Sequence, residues 1–205
     1  MQKLLLTAVA LGLVSGCGLF ETEKKGKKAR ENEPAIAGNW LSNCVKAPGL
    51  GLSRVQTEYS YNAIGDFDKT ENFYSSESCD SPIVSVIISG TYDAKGKHPD
   101  NPEVDMINYT VDEVFVTANT EDGVDALNKL KFCGKQDWKA GEDVEVTDQD
   151  CGPYTLGKGD VLYDVYDKRE DDKLYFGKAL TFTEEERSPD RPSDVDTNIV
   201  YIEED

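Results

Sequence analysis

The chain has 205 residues and a formal net charge of −18, from 22 Lys and Arg against 40 Asp and Glu. So acidic a surface repels the phosphate backbone whose neutralisation drives nucleic-acid binding, which excludes that class of partner. The one histidine, His98, stands beside Pro99 and cannot supply the usual base of a Ser–His–acid or Cys–His site, and no Gly-x-Ser-x-Gly elbow is present.

In chain order, Lys3 precedes the apolar run LLLTAVALGLVSG. The run is shorter than the roughly 20 residues that cross a hydrocarbon core, and its length and flanks are those of a secretory signal. Val14, Ser15, Gly16 and Cys17 close it in an order that resembles the lipobox of bacterial lipoproteins. That resemblance implies that residues 1–16 are removed as a signal peptide and that Cys17 carries a diacylglyceryl group, with palmitate-type acylation of the new amino group. Two or more acyl chains hold a membrane stably where one is marginal. Gly18 follows, rather than the aspartate that retains many enterobacterial lipoproteins at the inner membrane, so the resemblance implies an outer-membrane lipid anchor in the cell envelope.

Residues 18–37, GLFETEKKGKKARENEPAIA, are too polar to bury a core. With the lipidated cysteine, 17–37 is expected to be a flexible tether with an r.m.s. reach of about 25 Å. Residues 38–205 are long enough for a single domain and keep 16 Lys and Arg against 36 Asp and Glu.

With Cys17 assigned to lipid, Cys44, Cys79, Cys133 and Cys151 remain. An even count in an exported domain implies two disulfides, with three possible connectivities. Pairing the chain neighbours, Cys44 with Cys79 and Cys133 with Cys151, closes modest loops and is the expected arrangement. No pair has the spacing of a zinc knuckle, and NTEDGVD and TDQDCG lack the spaced acids and closing Glu of an EF-hand loop, so no metal and no cofactor are expected.

The domain reads mainly as period-two alternation. NWLSNCV opens it, and VQTEYSY (55–61) puts Val55, Thr57, Tyr59 and Tyr61 on one face. TENFYS (70–75) and the more apolar IVSVIISGTY (83–92) follow. MINYTVDEVFVTA (106–118) changes phase between Val111 and Val114, the mark of a bulge. NTEDGVDALNKLKF reads as a short helix capped by Asn119 or Thr120, with Val124, Leu127 and Leu130 on one face. VLYDVYD (161–167) and KLYFG (173–177) form a hairpin across KREDD, and NIVYIEED is the last strand. The expected class is all-β: an antiparallel up-and-down barrel of about eight strands with one short helix, a β-sandwich being the alternative.

GNW at 38–40, just ahead of the first strand, is similar to the Gly-x-Trp signature of lipocalins. There the Trp seals the closed end of an eight-stranded barrel and a late Arg stacks on it, which implies barrel closure by Trp40 and Arg191. The chain lacks that family's long helix and its Thr-Asp-Tyr signature. The order Gly-x-Trp with a cysteine four residues on, a mid-chain cysteine, CGKQDW (133–138), CG (151–152), LYDVY, KLYFG and RPSDVD also resembles, over nearly the whole domain, a group of uncharacterised secreted bacterial lipoproteins.

The functional expectation is a membrane-anchored, non-catalytic lipoprotein whose lipocalin-like barrel binds a small apolar ligand or lipid; tyrosines such as Tyr59, Tyr61, Tyr74, Tyr92, Tyr109, Tyr163 and Tyr166 suit a cavity wall and equally a filled small-barrel core, and name no ligand-binding residue. The alternative is an accessory interaction subunit of an envelope complex with a solid core, its acidic face meeting a basic protein. A carboxylate-based hydrolase is the enzymatic alternative, but the many acids of the domain single out no pair.

Overall fold

A strand whose alternate side chains are apolar can bury one face only by curling with its neighbours or packing on a second layer. The computed structural model describes residues 36–47, 50–177 and 191–204, and among them the curling solution is realised. The strands are β1 Gly38–Ser42, β2 Val45–Lys46, β3 Arg54–Tyr61, β4 Asp66–Tyr74, β5 Val84–Lys97, β6 Asp105–Ala118, β7 Asp143–Glu145, β8 Val161–Lys168, β9 Lys173–Phe176 and β10 Tyr201–Glu204. Antiparallel pairing runs β1-β3-β4-β5-β6-β8-β9-β10, and β10 returns to β1, closing an eight-stranded barrel. The sandwich alternative is thereby replaced by a ring without an open edge. The eight strands read from the sequence are the eight of the ring. The extra pairings, β2 on β3 and β7 on β6, involve two and three residues, too few to show a period. The signal peptide, Cys17 and the tether through residue 35 lie outside the described residues.

Chain direction defines two ends. The entry end holds Ile36, the turns at 62–65, 98–104 and 169–172, and the end of β10. Ile36, counted with the tether in the sequence, is fully buried, so the core begins before Gly38. The far end holds the 75–83 loop and a long excursion between β6 and β8, residues 119–160.

The excursion caps that end. Its helix α1, Glu121–Leu130, is capped by the Thr120 side chain, which accepts a hydrogen bond from Gly123 N, with Glu121 and Asp122 in the first turn where the helix dipole favours them. Leu127 is buried, whereas Leu130 is 49% exposed and so leaves the expected apolar face. The contact that replaces it is Gly123, where a Cβ would stand 2.0 Å from Ile83 O, so the helix docks backbone to backbone. Phe132, Trp138, Val146, Tyr154 and Leu156 turn inward from irregular segments of the same excursion.

Both disulfides lie at the far end: Cys44 is joined to Cys79 and Cys133 to Cys151, at sequence separations of 35 and 18. By loop-closure entropy they stabilise the fold by about 4 and about 3 kcal/mol. Outside the barrel, Val104, Val165, Tyr175 and Val195 make a second small apolar cluster on the outer wall.

The phase change in β6 is a bulge: Ser89 pairs with Glu113 and Gly90 with Val111, leaving Asp112 without a register partner. Gly90 is required there, because a Cβ would come within 2.0 Å of Thr110 O, a backbone atom that cannot yield without bending the strand. Gly90→Ala is expected to cost about 2 kcal/mol in urea unfolding; an unchanged midpoint would show that the bulge is slack.

Candidate functional site

Because side chains alternate, β4 sends Phe67, Lys69, Glu71 and Phe73 to the same side, and that side is the lumen. Two apolar residues thus flank a lysine and a glutamate that are 2% and 0% exposed. Lys69 Nζ lies 3.1 Å from Glu71 Oε1 and 5.5 Å from the centre of the Tyr59 ring. The other carboxylate oxygen, Glu71 Oε2, accepts a hydrogen bond from the Tyr154 hydroxyl, which reaches in from the far-end excursion. Burying two charges costs several kcal/mol each, and their attraction roughly repays it when geometry and partners are good.

Nearer the entry end, aromatic rings meet across the lumen. Tyr59 on β3 lies 4.6 Å from Phe176 on β9 and 5.6 Å from Tyr201 on β10, centre to centre. The Tyr61 and Tyr109 hydroxyls, from β3 and β6, are 2.7 Å apart. Burial, reinforced by the neighbouring Tyr109 and by Asp164, pushes the Tyr61 hydroxyl well above the ordinary phenol range, so it stays a neutral hydrogen-bonding group. Tyr92 also turns inward, and its hydroxyl donates to Asn62 O. Tyr74 and Tyr163 instead make outer contacts, with Gln56 and Arg191.

Asp164 on β8 joins Lys69 and Glu71 as a buried ionisable side chain of the interior. Its register partner is Ile107, and it is 3% exposed. Burial raises its pKa to about 6, against the pull of hydrogen bonds from Val165 N and Gly177 N and of the Lys69 and Arg191 charges. A Cβ on Gly177 would stand 2.2 Å from Asp164 Oδ1, so only glycine admits this carboxylate at that point.

Trp40 is fully buried, with its indole N–H donating to Ile36 O at 2.8 Å. Arg191 does not close the barrel over it. Its guanidinium donates to Ile107 O, Asp164 O and Asn108 Oδ1 and lies 5.4 Å from the Tyr163 ring. Asn108 and Tyr163 face each other in the β6–β8 register on the outer wall, away from Trp40 on β1. The cation above Trp40 is Lys168, 4.8 Å from its ring, so the expected Arg–Trp stacking is replaced by a Lys–Trp contact.

The two acidic segments that lack the EF-hand pattern, NTEDGVD and TDQDCG, have local structural roles. Thr120 and the first acids of NTEDGVD are the N-terminus of α1. In TDQDCG, Thr147 Oγ1 accepts from Val114 N, and Asp150 Oδ1 accepts from Gly152 N and Thr155 Oγ1. Among the described residues no group of three or more His, Cys, Asp or Glu is arranged to hold a metal.

Sequence reasoning does not single out Lys69, Glu71, Tyr154 or Asp164. The period-two run Phe67, Lys69, Glu71, Phe73 carries the signal for two of them; Tyr154 stands in an irregular segment that carries none. Compared with known proteins, the chain matches no family model and shows no significant similarity to a curated protein.

Proposed function

We propose that this is a lipid-anchored lipoprotein of the cell envelope whose barrel is a non-catalytic scaffold, acting through its outer wall and its ends as an accessory subunit beside a partner with a basic surface. The observation that carries this reading is the set of ring contacts across the lumen: with Tyr59 against Phe176 and the Tyr61 and Tyr109 hydroxyls bonded, an apolar ligand in the entry half of the lumen would have to displace the protein's own core. The lipobox-like order ending at Cys17 supports the anchor, the tether supports reach, and the acidic excess supports a basic partner. Outer-membrane placement follows from Gly18 by the same resemblance.

Two measurements test the parts separately. Cys17→Ser is expected to move the chain from the detergent phase to the aqueous phase in a cloud-point partition; continued detergent partition would remove the anchor. Crosslinking in native membranes is expected to return a stoichiometric protein partner. Saturable binding of a fatty acid or an apolar dye, with no such partner, would favour the ligand-carrier reading instead.

A further inference from the structure

Tyr154 enters the barrel from a loop that closes on itself through several hydrogen bonds. Asp148 N bonds to Leu156 O and closes the loop's base. Within it, Tyr154 N bonds to Cys151 O, Thr155 N to Gly152 O, and Cys151 N to Thr155 Oγ1. Among the contacts that tie the loop to the rest of the domain are the disulfide from Cys151 to Cys133 and the Tyr154 side chain. That side chain is 1% exposed, lies edge-on to Phe73 and Phe132 with ring centres 6.3 Å apart in each case, and gives its hydroxyl to Glu71. Its surroundings are therefore an aromatic slot ending in a carboxylate, with the Lys69 ammonium on the carboxylate's other oxygen.

A scaffold core has no energetic need of a buried ion pair, since apolar residues of similar volume do as well or better. A binding slot gains from a buried polar group: fixed at the end of an apolar pocket, it orients a ligand and rejects analogues that cannot bond to it. We infer that the far-end lumen is a latched binding site for a small hydroxyaryl molecule, in which the Tyr154 phenol sits as a tethered competitor and the Cys133–Cys151 disulfide keeps that competitor at high effective concentration. Ring, hydroxyl and acceptor already stand in the arrangement such a ligand would adopt. Displacing the tyrosine would require the 149–155 loop to lift, while β4 and the strands beside it stay in register. The site does not depend on the anchor or on the scaffold role, and the partition and crosslinking results do not bear on it.

The probes are p-cresol, which is the tyrosine side chain without its backbone, and toluene, which lacks the hydroxyl. They are titrated against the full-length protein and followed by thermal midpoint and tryptophan emission, Trp138 reporting from the capping excursion and Trp40 from the entry end. Tyr154→Gly is expected to bind p-cresol saturably and at least about ten-fold more tightly than toluene, the scale of one hydrogen bond to a charged acceptor. Adding Lys69→Met and Glu71→Leu to that variant should erase the preference. The variant Cys133→Ser with Cys151→Ser keeps Tyr154 but loosens its loop, and should bind p-cresol about ten-fold more tightly than the wild type as the effective concentration of the competitor falls. Equal affinity of Tyr154→Gly for the two probes would reduce the slot to an ordinary apolar cavity and overturn the proposal. So would p-cresol binding in the disulfide variant that is no tighter than in the wild type, an outcome that decides the matter even if Tyr154→Gly fails to fold.

Discussion

Lys69→Met is expected to destabilise the protein by about 3–5 kcal/mol, because it leaves the Glu71 carboxylate, 0% exposed, without the cation beside it. A methionine fills the volume of the lysine stem, so lost packing adds little to that figure. Companion variants separate the stranded charge from everything else the lysine does. Replacing both charges, Lys69→Met with Glu71→Leu, removes the stranded carboxylate but strands the Tyr154 hydroxyl, at about 1–3 kcal/mol. Adding Tyr154→Phe should bring stability back to within about 1 kcal/mol of the wild type, or above it. Urea unfolding of the single, double and triple variants measures all three steps. A single Lys69→Met that costs less than about 1 kcal/mol would mean that water reaches Glu71 and that the lumen is open at the far end. A triple variant as unstable as the single would mean that the ion pair is not what the lysine supplies.

Most of the barrel wall was legible in the sequence because a strand buried on one face writes its own periodicity. VQTEYSY alternates as its burial alternates, and the phase change between Val111 and Val114 is the β5–β6 bulge. The disulfides were legible from an even count and neighbouring positions once Cys17 was set apart. The place of Trp40 inside the barrel was legible too, but that of Arg191 was not, since a motif names a cation near a tryptophan without saying which strand delivers it, and Lys168 at the end of β8 is the one that does. Lys69 and Glu71 escape a sequence reading for a physical reason: alternation is read from apolar residues, and a charged pair on the buried face looks like two residues of the solvated face. Phe67 and Phe73 at matching parity are the correction. The capping excursion was the least readable part. Trp138, Val146, Tyr154 and Leu156 come from loops and short turns, where burial follows from tertiary position and leaves no local pattern.

The second large effect is in the pH dependence, and it runs opposite to the ordinary case of a salt-bridged carboxylate. Asp164 has a folded pKa of about 6 against an ordinary value of 3.8, with burial as the leading cause. The folded state therefore holds its proton more tightly than the unfolded state does. The stability this contributes is complete below about pH 4 and is lost as pH rises through about 6. It amounts to about 3 kcal/mol, since each tenfold difference in proton affinity between the two states is worth about 1.4 kcal/mol. The groups that face the carboxylate oppose the effect without cancelling it: Val165 N and Gly177 N donate to it, the charges of Lys69 and Arg191 draw it down, and the neutral Tyr61 hydroxyl stands nearby. Relief of repulsion in a domain with 36 acids against 16 bases acts in the same direction as pH falls, so the wild-type slope alone does not isolate Asp164. Asp164→Asn does. The amide oxygen can still accept from Val165 N and Gly177 N, and the side chain no longer titrates. Urea unfolding of the wild type is expected to lose about 2.4 kcal/mol more between pH 4 and pH 7 than the Asn variant loses, with the variant the more stable of the two at about pH 7.5. Equal slopes for the two proteins, or a wild type that gains stability as pH rises from about 4 to about 6, would place the proton elsewhere and leave Asp164 ionised in the core across that range.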